Sequence, residues 1–191
     1  MSRLTRWWVA WVSGALPLAW IAWVMTGGAG IVPDPAKHVT LVFADAAVIM
    51  LGLTLAISTL QRRSFLNLVR FRRMFGLWTF AYATLHTLAV LTLLWEWRDG
   101  LETLFRRPYA LLGGLAWVIL AAMALTSTKG WQKRLKKNWI RLHAMVYIAG
   151  LLVLVHWYWL TRADYGLLVL ATVIYLVLMV ERRQKLARLL A

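Results

Sequence analysis

Cysteine is absent from this chain of 191 residues. Its absence excludes disulfides, thiolate metal sites, iron–sulfur clusters held by cysteine, and the Cys-x-x-Cys-His attachment of a covalently bound heme. Any redox centre in this protein is therefore expected to be held without a covalent bond.

Charged residues are scarce as well, at 15% of the chain, whereas hydrophobic residues make up 62%. A soluble domain of this size does not need so many apolar residues, because its surface would then be mostly apolar. The lipid bilayer is the expected solvent. The net charge of +15 would favour nucleic acid in a soluble protein. Here the basic residues lie in short runs between apolar segments, so we expect no nucleic-acid partner.

Glycine-rich phosphate loops are also missing. No Gly-x-Gly-x-x-Gly motif follows a strand pattern, and the stretch from Gly27 to Gly30 lies between two apolar segments without the required spacing. The stretch is interpreted as a loop, and no nucleotide-binding domain is expected.

Long apolar runs are what the sequence does contain. Spanning the hydrocarbon takes roughly 20 apolar residues, and six stretches approach or meet that length. They run over residues 7–25, 39–60, 75–95, 109–127, 140–160 and 165–180. The first is too long for the apolar core of a signal peptide and no clean cleavage site follows it. The sequence therefore predicts an all-α integral membrane protein, a single domain over residues 1–191 with six transmembrane helices.

The basic residues predict the orientation of these helices. Of the 22 lysines and arginines, five fall on one side of the predicted bundle: Lys37, Arg98, Arg106, Arg107 and Arg162. The rest fall on the other side, and lysine and arginine in short loops are retained in the cytoplasm. Both termini are therefore predicted to be cytoplasmic.

Three of the four histidines lie inside predicted spans: His86 in the third, and His143 and His156 in the fifth. An ionisable side chain in lipid is costly and is by default functional, although a helix-packing hydrogen bond is the alternative. Counted from the cytoplasmic ends, His86 is closer in depth to His156 than to His143. Two imidazoles on facing helices provide the axial ligands of a noncovalent b-type heme. We therefore predict such a heme between helices three and five.

A second heme is predicted less directly. His143 precedes His156 by 13 residues, which places them roughly 140° apart around a straight helix. Either Gly150 permits a kink between them or His143 serves a different neighbour. Arg72 stands 14 residues before His86, where an inner heme would need a histidine. The sequence therefore does not identify the second ligand of an inner heme at His143.

Other polar residues leave alternatives open. Asp45, inside the second span, is either a proton relay or an interfacial acid that reaches to the headgroups. His38 is expected to be a solvated histidine of an outer loop. The basic runs 70–73 and 133–137 are expected to attract anionic membrane lipids, with docking of a flavin phosphate or an acidic electron donor as the alternative.

Several segments resemble the MsrQ family, formerly YedZ, the heme-binding membrane subunit of the bacterial MsrPQ methionine sulfoxide reductase system. The resemblance covers about residues 70 to 160. Its segments are Arg72-Arg73-Met74-Phe75-Gly76-Leu77-Trp78, Tyr82 to His86, Arg107-Pro108-Tyr109 with Gly113, Leu125-Thr126-Ser127, and Trp139, Leu142-His143, Val146-Tyr147 and His156. The chain departs from the family pattern at three places. In helix two, residues 43–47 stand where a glycine-bearing segment with a basic or aromatic residue is expected. Lys136 stands where a glycine is common, and the loop 161–164 is shorter than is typical.

The resemblance implies a ferric-reductase-like domain of the bacterial inner membrane. It implies b-type heme on His86, His143 and His156, with FMN as a further cofactor and with Arg72 and Arg73 as contacts of a flavin or of the heme propionates. Electrons would come from the quinone pool or from a cytosolic flavin reductase. They would pass to MsrP, a periplasmic molybdopterin protein that itself reduces methionine sulfoxide and so repairs oxidised proteins.

Two other readings of the sequence remain open. One is a ferric-reductase-like or cytochrome-b-type protein that serves a different acceptor. The other is a membrane scaffold or transporter without heme, and the absorption spectrum of the purified protein separates that class from the first two.

Overall fold

The computed structural model describes residues 3–28, 30–63, 68–95 and 97–181, and within these ranges it contains helices and no strand. The α-helices are α1 Arg3–Met25, α2 Pro35–Arg63, α3 Val69–Ala89, α4 Trp97–Arg106, α5 Pro108–Leu125, α6 Lys129–Leu135, α7 Lys137–Ala144, α8 Val146–Leu160 and α9 Gly166–Val180. A π-helical turn, Val90–Leu94, continues α3. The prediction of an all-α protein is confirmed over the described residues. The basic C-terminal residues from Arg182 onward, which contributed to the predicted orientation, lie outside them.

Four helical segments of the described chain are long and apolar enough to cross a membrane: Pro35–Gln61, Phe71–Leu94, Pro108–Leu125 and Lys137–Leu160. Two shorter apolar helices cover Trp11–Met25 and Gly166–Val180. The protein is thus a membrane protein with several apolar helices. The first and sixth spans stay predictions, because a helix of 15 residues such as α9 rises only about 22 Å against a hydrocarbon core of about 30 Å.

The chain separates into two compact units, Met1–Leu101 and Glu102–Ala191. We call them the N-terminal unit and the C-terminal unit. The N-terminal unit contains α1 to α3 and is built mainly on the pairing of α2 with α3; the C-terminal unit is built mainly on the pairing of α5 with α8. The single domain over residues 1–191 stays a prediction.

The core of the N-terminal unit centres on Tyr82, whose side chain is fully buried. Its hydroxyl donates a hydrogen bond to the carbonyl of Gly14 in α1. Its ring stacks on Trp78, with centroids 5.4 Å apart. A Cβ at Gly14 would overlap the indole of Trp78, so the indole packs directly on the glycine backbone. The small residue therefore permits α1 and α3 to approach closely.

Small residues also line the helix pair of the C-terminal unit. Ala116 of α5 and Ala149 and Gly150 of α8 are buried. Without bulky side chains at these positions, two membrane helices can pack backbone to backbone. The next helix, α9, is fixed to α8 by a hydrogen bond of 2.7 Å from the Tyr175 hydroxyl to the Tyr147 carbonyl.

The predicted fifth span is interrupted at Met145, between α7 and α8. The Met145 N–H bonds to the Leu142 carbonyl three residues back, at 3.0 Å, which tightens the backbone into a 3₁₀-type turn. Gly150 lies within α8, and the interruption falls five residues before it. The interruption also means that the angle calculated for a straight helix does not apply to His143 and His156.

The link between α6 and α7 contains one strained residue. Lys136 has φ +49° and ψ −118°, and it is the one residue other than glycine with positive φ in the described part of the chain. A side chain is disfavoured in this region of backbone space, whereas glycine adopts it readily. The lysine thus stands at a position whose backbone conformation favours glycine.

Candidate functional site: the three membrane histidines

His86 is the histidine of the N-terminal unit, half-buried near the end of α3. Its Nδ1 lies 3.1 Å from the carbonyl oxygen of Thr40 in α2. A carbonyl can only accept a hydrogen bond, so Nδ1 carries the ring proton and Nε2 keeps the lone pair of a neutral imidazole. Histidines that bind metals commonly have this arrangement, in which the other ring nitrogen donates to a carbonyl.

The backbone changes pitch directly after His86. The Val90 N–H bonds to the carbonyls of both His86 and Thr87, and the Trp95 N–H bonds to the Val90 carbonyl at 3.0 Å. The second bond spans five residues and is of the π-helical type. Such turns are rare in proteins overall, and those that occur are often found at functional sites.

His156 lies in α8 of the C-terminal unit and is bonded in the same way. Its Nδ1 is 2.7 Å from the carbonyl oxygen of Tyr109, in the first turn of α5. Gly113, one turn further along α5, makes room for the ring, because a Cβ there would lie 3.0 Å from Nδ1 of His156. His156 therefore also carries its proton on Nδ1 and has its lone pair on Nε2.

An arginine is attached to the same tyrosine. Nη1 of Arg107 donates a 2.7 Å hydrogen bond to the hydroxyl of Tyr109, and the guanidinium carbon lies 5.9 Å from the ring centroid. The Tyr109 ring in turn lies 6.2 Å from the His156 ring. Arg107, Tyr109 and His156 form one connected group at the start of α5, which we call the Tyr109 cluster.

His143 is held differently. Its Nε2 lies 3.2 Å from Oγ1 of Thr126, just after the end of α5. The single hydroxyl proton of Thr126 is directed at the Ala122 carbonyl, 2.7 Å away, so Oγ1 accepts from Nε2 of His143. In this arrangement Nε2 carries a proton and does not offer its lone pair to a metal.

Trp139 completes the surroundings of His143. The two rings are stacked with centroids 4.1 Å apart, and Nε1 of Trp139 donates a 2.9 Å hydrogen bond to the Thr126 carbonyl. We call His143, Thr126 and Trp139 the Thr126 cluster. It joins α7 to the C-terminal end of α5.

The structure therefore brings His156 and His143 to opposite ends of one helix, α5. Its 18 residues correspond to about 27 Å. His86 belongs to the N-terminal unit. Among the described residues no three histidine, cysteine, aspartate or glutamate side chains form a group that could hold a metal ion.

The expectation that His38 lies in an outer loop is wrong. His38 lies in the first turn of α2, because Asp34 caps this helix through a 3.0 Å bond from the Lys37 N–H and Pro35 begins it. Nε2 of His38 is buried and has no hydrogen-bond partner among the described residues. The Asp-Pro pair, a common helix start, was the signal for this position.

The remaining predicted residues lie apart from the three histidines. Asp45 is exposed on α2, on the same side as Leu41 and Ile49, which are 50% and 58% exposed. Arg72 and Arg73 lie in the first turns of α3. Arg72 is separated from His86 by 14 residues, about 20 Å along the helix.

Thr40 and the hydroxyl of Thr126 are partners that the sequence did not point to. The Thr40 contact uses a backbone carbonyl, which leaves no signature in the side-chain pattern. Gly113 does leave one, because a glycine one turn after Tyr109 in an apolar helix indicates close approach of another group.

Comparison with known proteins agrees with this membrane fold. The family described as ferric reductase like transmembrane component matches residues 41–155, more than half of the chain. That range includes His86 and His143 and ends one residue before His156. No solved structure matches the chain.

Curated relatives are more specific. The chain is 40% identical over 152 residues to the protein-methionine-sulfoxide reductase heme-binding subunit MsrQ of Xanthomonas axonopodis pv. citri (strain 306), covering 77% of this chain and 70% of that protein. It is 41% identical, with the same coverage, to the protein of that name from Xanthomonas euvesicatoria pv. vesicatoria (strain 85-10). The chain therefore belongs to the ferric-reductase-like transmembrane family and, within it, to the MsrQ family.

Proposed function

We propose that this chain is the heme-binding electron-transfer subunit of a methionine sulfoxide reductase system, and that His86 and His156 are the residues that would hold one b-type heme. The observation that carries the proposal is the shared state of the two rings. In both, Nδ1 donates to a backbone carbonyl of a neighbouring helix, so the lone pair lies on Nε2.

These contacts suit ligands of an iron ion. The hydrogen bonds to Thr40 and Tyr109 fix the tautomer and the rotation of each ring, and they raise the basicity of Nε2. Both acceptors are backbone atoms of helices. Their positions are therefore fixed by the helix and do not depend on the conformation of a side chain. When bound, a heme with two histidine ligands takes up and releases one electron at a time.

The chain itself is proposed to turn over no organic substrate. Its relatives are named as heme-binding subunits of protein-methionine-sulfoxide reductase, and sulfoxide reduction is assigned to a periplasmic MsrP-like molybdopterin partner. Quinol or a cytosolic flavin reductase is the proposed donor. A ferric-reductase-like protein with another acceptor is the alternative.

The second heme and FMN are proposed to bind in the cytoplasmic half of the protein. A second heme at His143 would require Nε2 to leave the Thr126 hydroxyl. Arg72 and Arg73 lie about 20 Å from His86 along α3, so we assign them to FMN or to that second heme and not to the heme at His86.

We propose the bacterial inner membrane as the location, with six spans and both termini cytoplasmic. This proposal rests on the distribution of lysine and arginine in the sequence. In this orientation α3 and α8 run outward, while Thr40 and Tyr109 stand near the outer ends of α2 and α5. The His86 and His156 rings then both lie in the outer half of the bilayer.

The test is the reduced-minus-oxidised absorption spectrum of purified variants, with heme quantified per protein. His86→Ala and His156→Ala are each expected to remove most of the b-type signal. His143→Ala is the matched control and is expected to retain the heme bound through the other two histidines.

Two results would contradict the proposal. Wild-type heme content in His86→Ala or His156→Ala would reject the ligand assignment. A colourless wild-type protein, purified from cells supplied with heme, would favour the reading as a membrane scaffold or transporter.

A further inference from the structure

The Tyr109 cluster contains a cation that the ligand assignment does not use. Arg107 is exposed at the start of α5, yet its backbone is fixed. Its carbonyl accepts hydrogen bonds from the N–H groups of Ala110 and Leu111, at 2.9 and 3.2 Å, and Pro108 follows it as the first helical residue.

The guanidinium is ordered too. It donates to the Tyr109 hydroxyl at 2.7 Å and lies 5.9 Å from the centroid of that ring, a cation–π distance. An arginine that is already held in one conformation loses less side-chain entropy when it binds an anion.

Tyr109 couples this cation to His156. One residue supplies the carbonyl that fixes the imidazole and the phenol that fixes the guanidinium. The positions of the two groups are therefore set by the same turn of α5. Arg107 is thus joined to His156 through a single residue.

Arg106, the neighbouring residue, provides a contrast. Its side chain is 77% exposed and forms an ion pair with Glu102 one turn back on α4. No contact joins it to Tyr109 or His156 in the described residues.

We propose that Arg107 is a carboxylate-binding site and that its ligand is a propionate of the heme bound through His156. The inference rests on the proposed heme and adds to it the residue that would hold a carboxylate of that heme. Heme propionates are carboxylates, and arginine pairs with carboxylates through two parallel hydrogen bonds. Ion pairing at the end of α5 places these charges near the membrane surface and not in the hydrocarbon, where they would be costly.

A double-mutant-type cycle tests the carboxylate site by combining a change in the heme with a substitution in the protein. Heme-free full-length protein in detergent is reconstituted with heme or with heme dimethyl ester, in which both propionates are neutral. In the wild type, esterification is expected to weaken binding about tenfold. In Arg107→Gln the two forms should bind within twofold of each other, because the two changes remove the same interaction.

The midpoint potential is a second measurement. Loss of a positive charge close to the heme disfavours the reduced state. Arg107→Gln is therefore expected to lower the midpoint potential by about 59 mV, which corresponds to a tenfold change in the one-electron redox equilibrium. Tyr109→Phe keeps the carbonyl for His156 but releases the guanidinium, and it should shift the potential in the same direction by less. Arg106→Gln, the matched control, should leave both measurements near the wild-type values.

The outcomes separate the two proposals. Additive effects of esterification and Arg107→Gln would overturn the carboxylate site even though heme binds. If Arg107→Gln leaves both heme measurements unchanged and weakens only the complex with the partner reductase, the carboxylate belongs to that partner and the inference is wrong. Failure of the wild type to bind heme at all would reject the proposed function itself.

Discussion

The two ends of α5 hold a histidine each, and they hold it through opposite ring nitrogens. At the Tyr109 cluster, Nδ1 of His156 donates to a backbone carbonyl. At the Thr126 cluster, Nε2 of His143 contacts a threonine hydroxyl while an indole covers the ring face. The first arrangement prepares Nε2 to bind a metal, whereas the second uses Nε2 to join two helices.

The difference shows that a histidine inside a membrane helix has two uses that its position alone does not distinguish. Both side chains lie in the same predicted span and both pack against the same helix. The two histidines differ in the atom that their rings contact. A backbone carbonyl can only accept a hydrogen bond, whereas a hydroxyl can donate or accept one, and its role depends on where its own proton is directed. We therefore expect substitutions at the two ends to have different consequences.

The largest effect is expected from Gly113→Ala. The added Cβ would lie 3.0 Å from Nδ1 and 3.1 Å from Cε1 of His156, and the ring cannot move away without losing its bond to Tyr109. We expect heme content to fall at least threefold, with a cost of about 1–3 kcal/mol for overpacking. Heme per protein, measured after purification, checks this.

Gly114→Ala is the matched control for that substitution. Its Cβ would meet only Cδ1 of Leu104, at 3.8 Å, which is an ordinary van der Waals contact. Heme content should stay near that of the wild type. Equal losses in the two variants would mean that α5 tolerates no added methyl group and that the space beside His156 is not special.

An intermediate effect is expected from Thr126→Val at the other end. The substitution keeps the side-chain shape but leaves Nε2 of His143 without its acceptor, which costs about 1–3 kcal/mol of stability. Thermal unfolding in detergent should show a lower midpoint, while heme per protein remains unchanged. Loss of the heme in this variant would assign the Thr126 cluster to a cofactor site instead.

Thr172→Val provides the comparison within the same unit. The Thr172 hydroxyl bonds only the Leu168 carbonyl within α9 in the described structure, at 2.8 Å, so its removal leaves no ring nitrogen unsatisfied. The unfolding midpoint should change by less than half as much as in Thr126→Val.

The smallest effect, and one of opposite sign, is expected from Lys136→Gly. Glycine removes the cost of a side chain at φ +49°, a gain of about 1 kcal/mol. The unfolding midpoint should therefore rise. Lys137→Gly, one residue on and inside α7, should lower it by up to about 1 kcal/mol. If Lys136→Gly is also destabilising, the lysine side chain has a role that outweighs its backbone strain.

Much of the fold could be predicted because membrane helices follow from the length of apolar runs alone. The described helices α2, α3, α5 and the segment from α7 to α8 cover the second to fifth predicted spans. The interruption at Met145 could not be predicted, since nothing in its residue type disfavours a helix. It arises where α7 and α8 each pack on α5, and such packing is not visible in the sequence.

For the site, the sequence identified the three histidines but not how they differ. Spacing predicted that His86 is closer in depth to His156 than to His143, which is still a prediction. It left a second heme at His143 without an identified second ligand. The distinguishing contacts come from Thr40, Tyr109 and Thr126, and two of these contribute backbone carbonyls. A backbone acceptor exists at every position, so only the folded chain reveals which one is used.

The buried hydroxyl of Tyr82 has a consequence for the biogenesis of the protein. Pro17 of α1 has no N–H to donate, and three residues before it the Gly14 carbonyl accepts the hydrogen bond of the Tyr82 hydroxyl. That carbonyl acquires this partner only when α3 has been synthesised and has entered the bilayer, 68 residues later. In hydrocarbon a polar group without a partner, such as the Tyr82 hydroxyl, costs several kcal/mol. The hydroxyl is therefore satisfied only when α3 packs on α1, so that the first three helices settle in the membrane as a group.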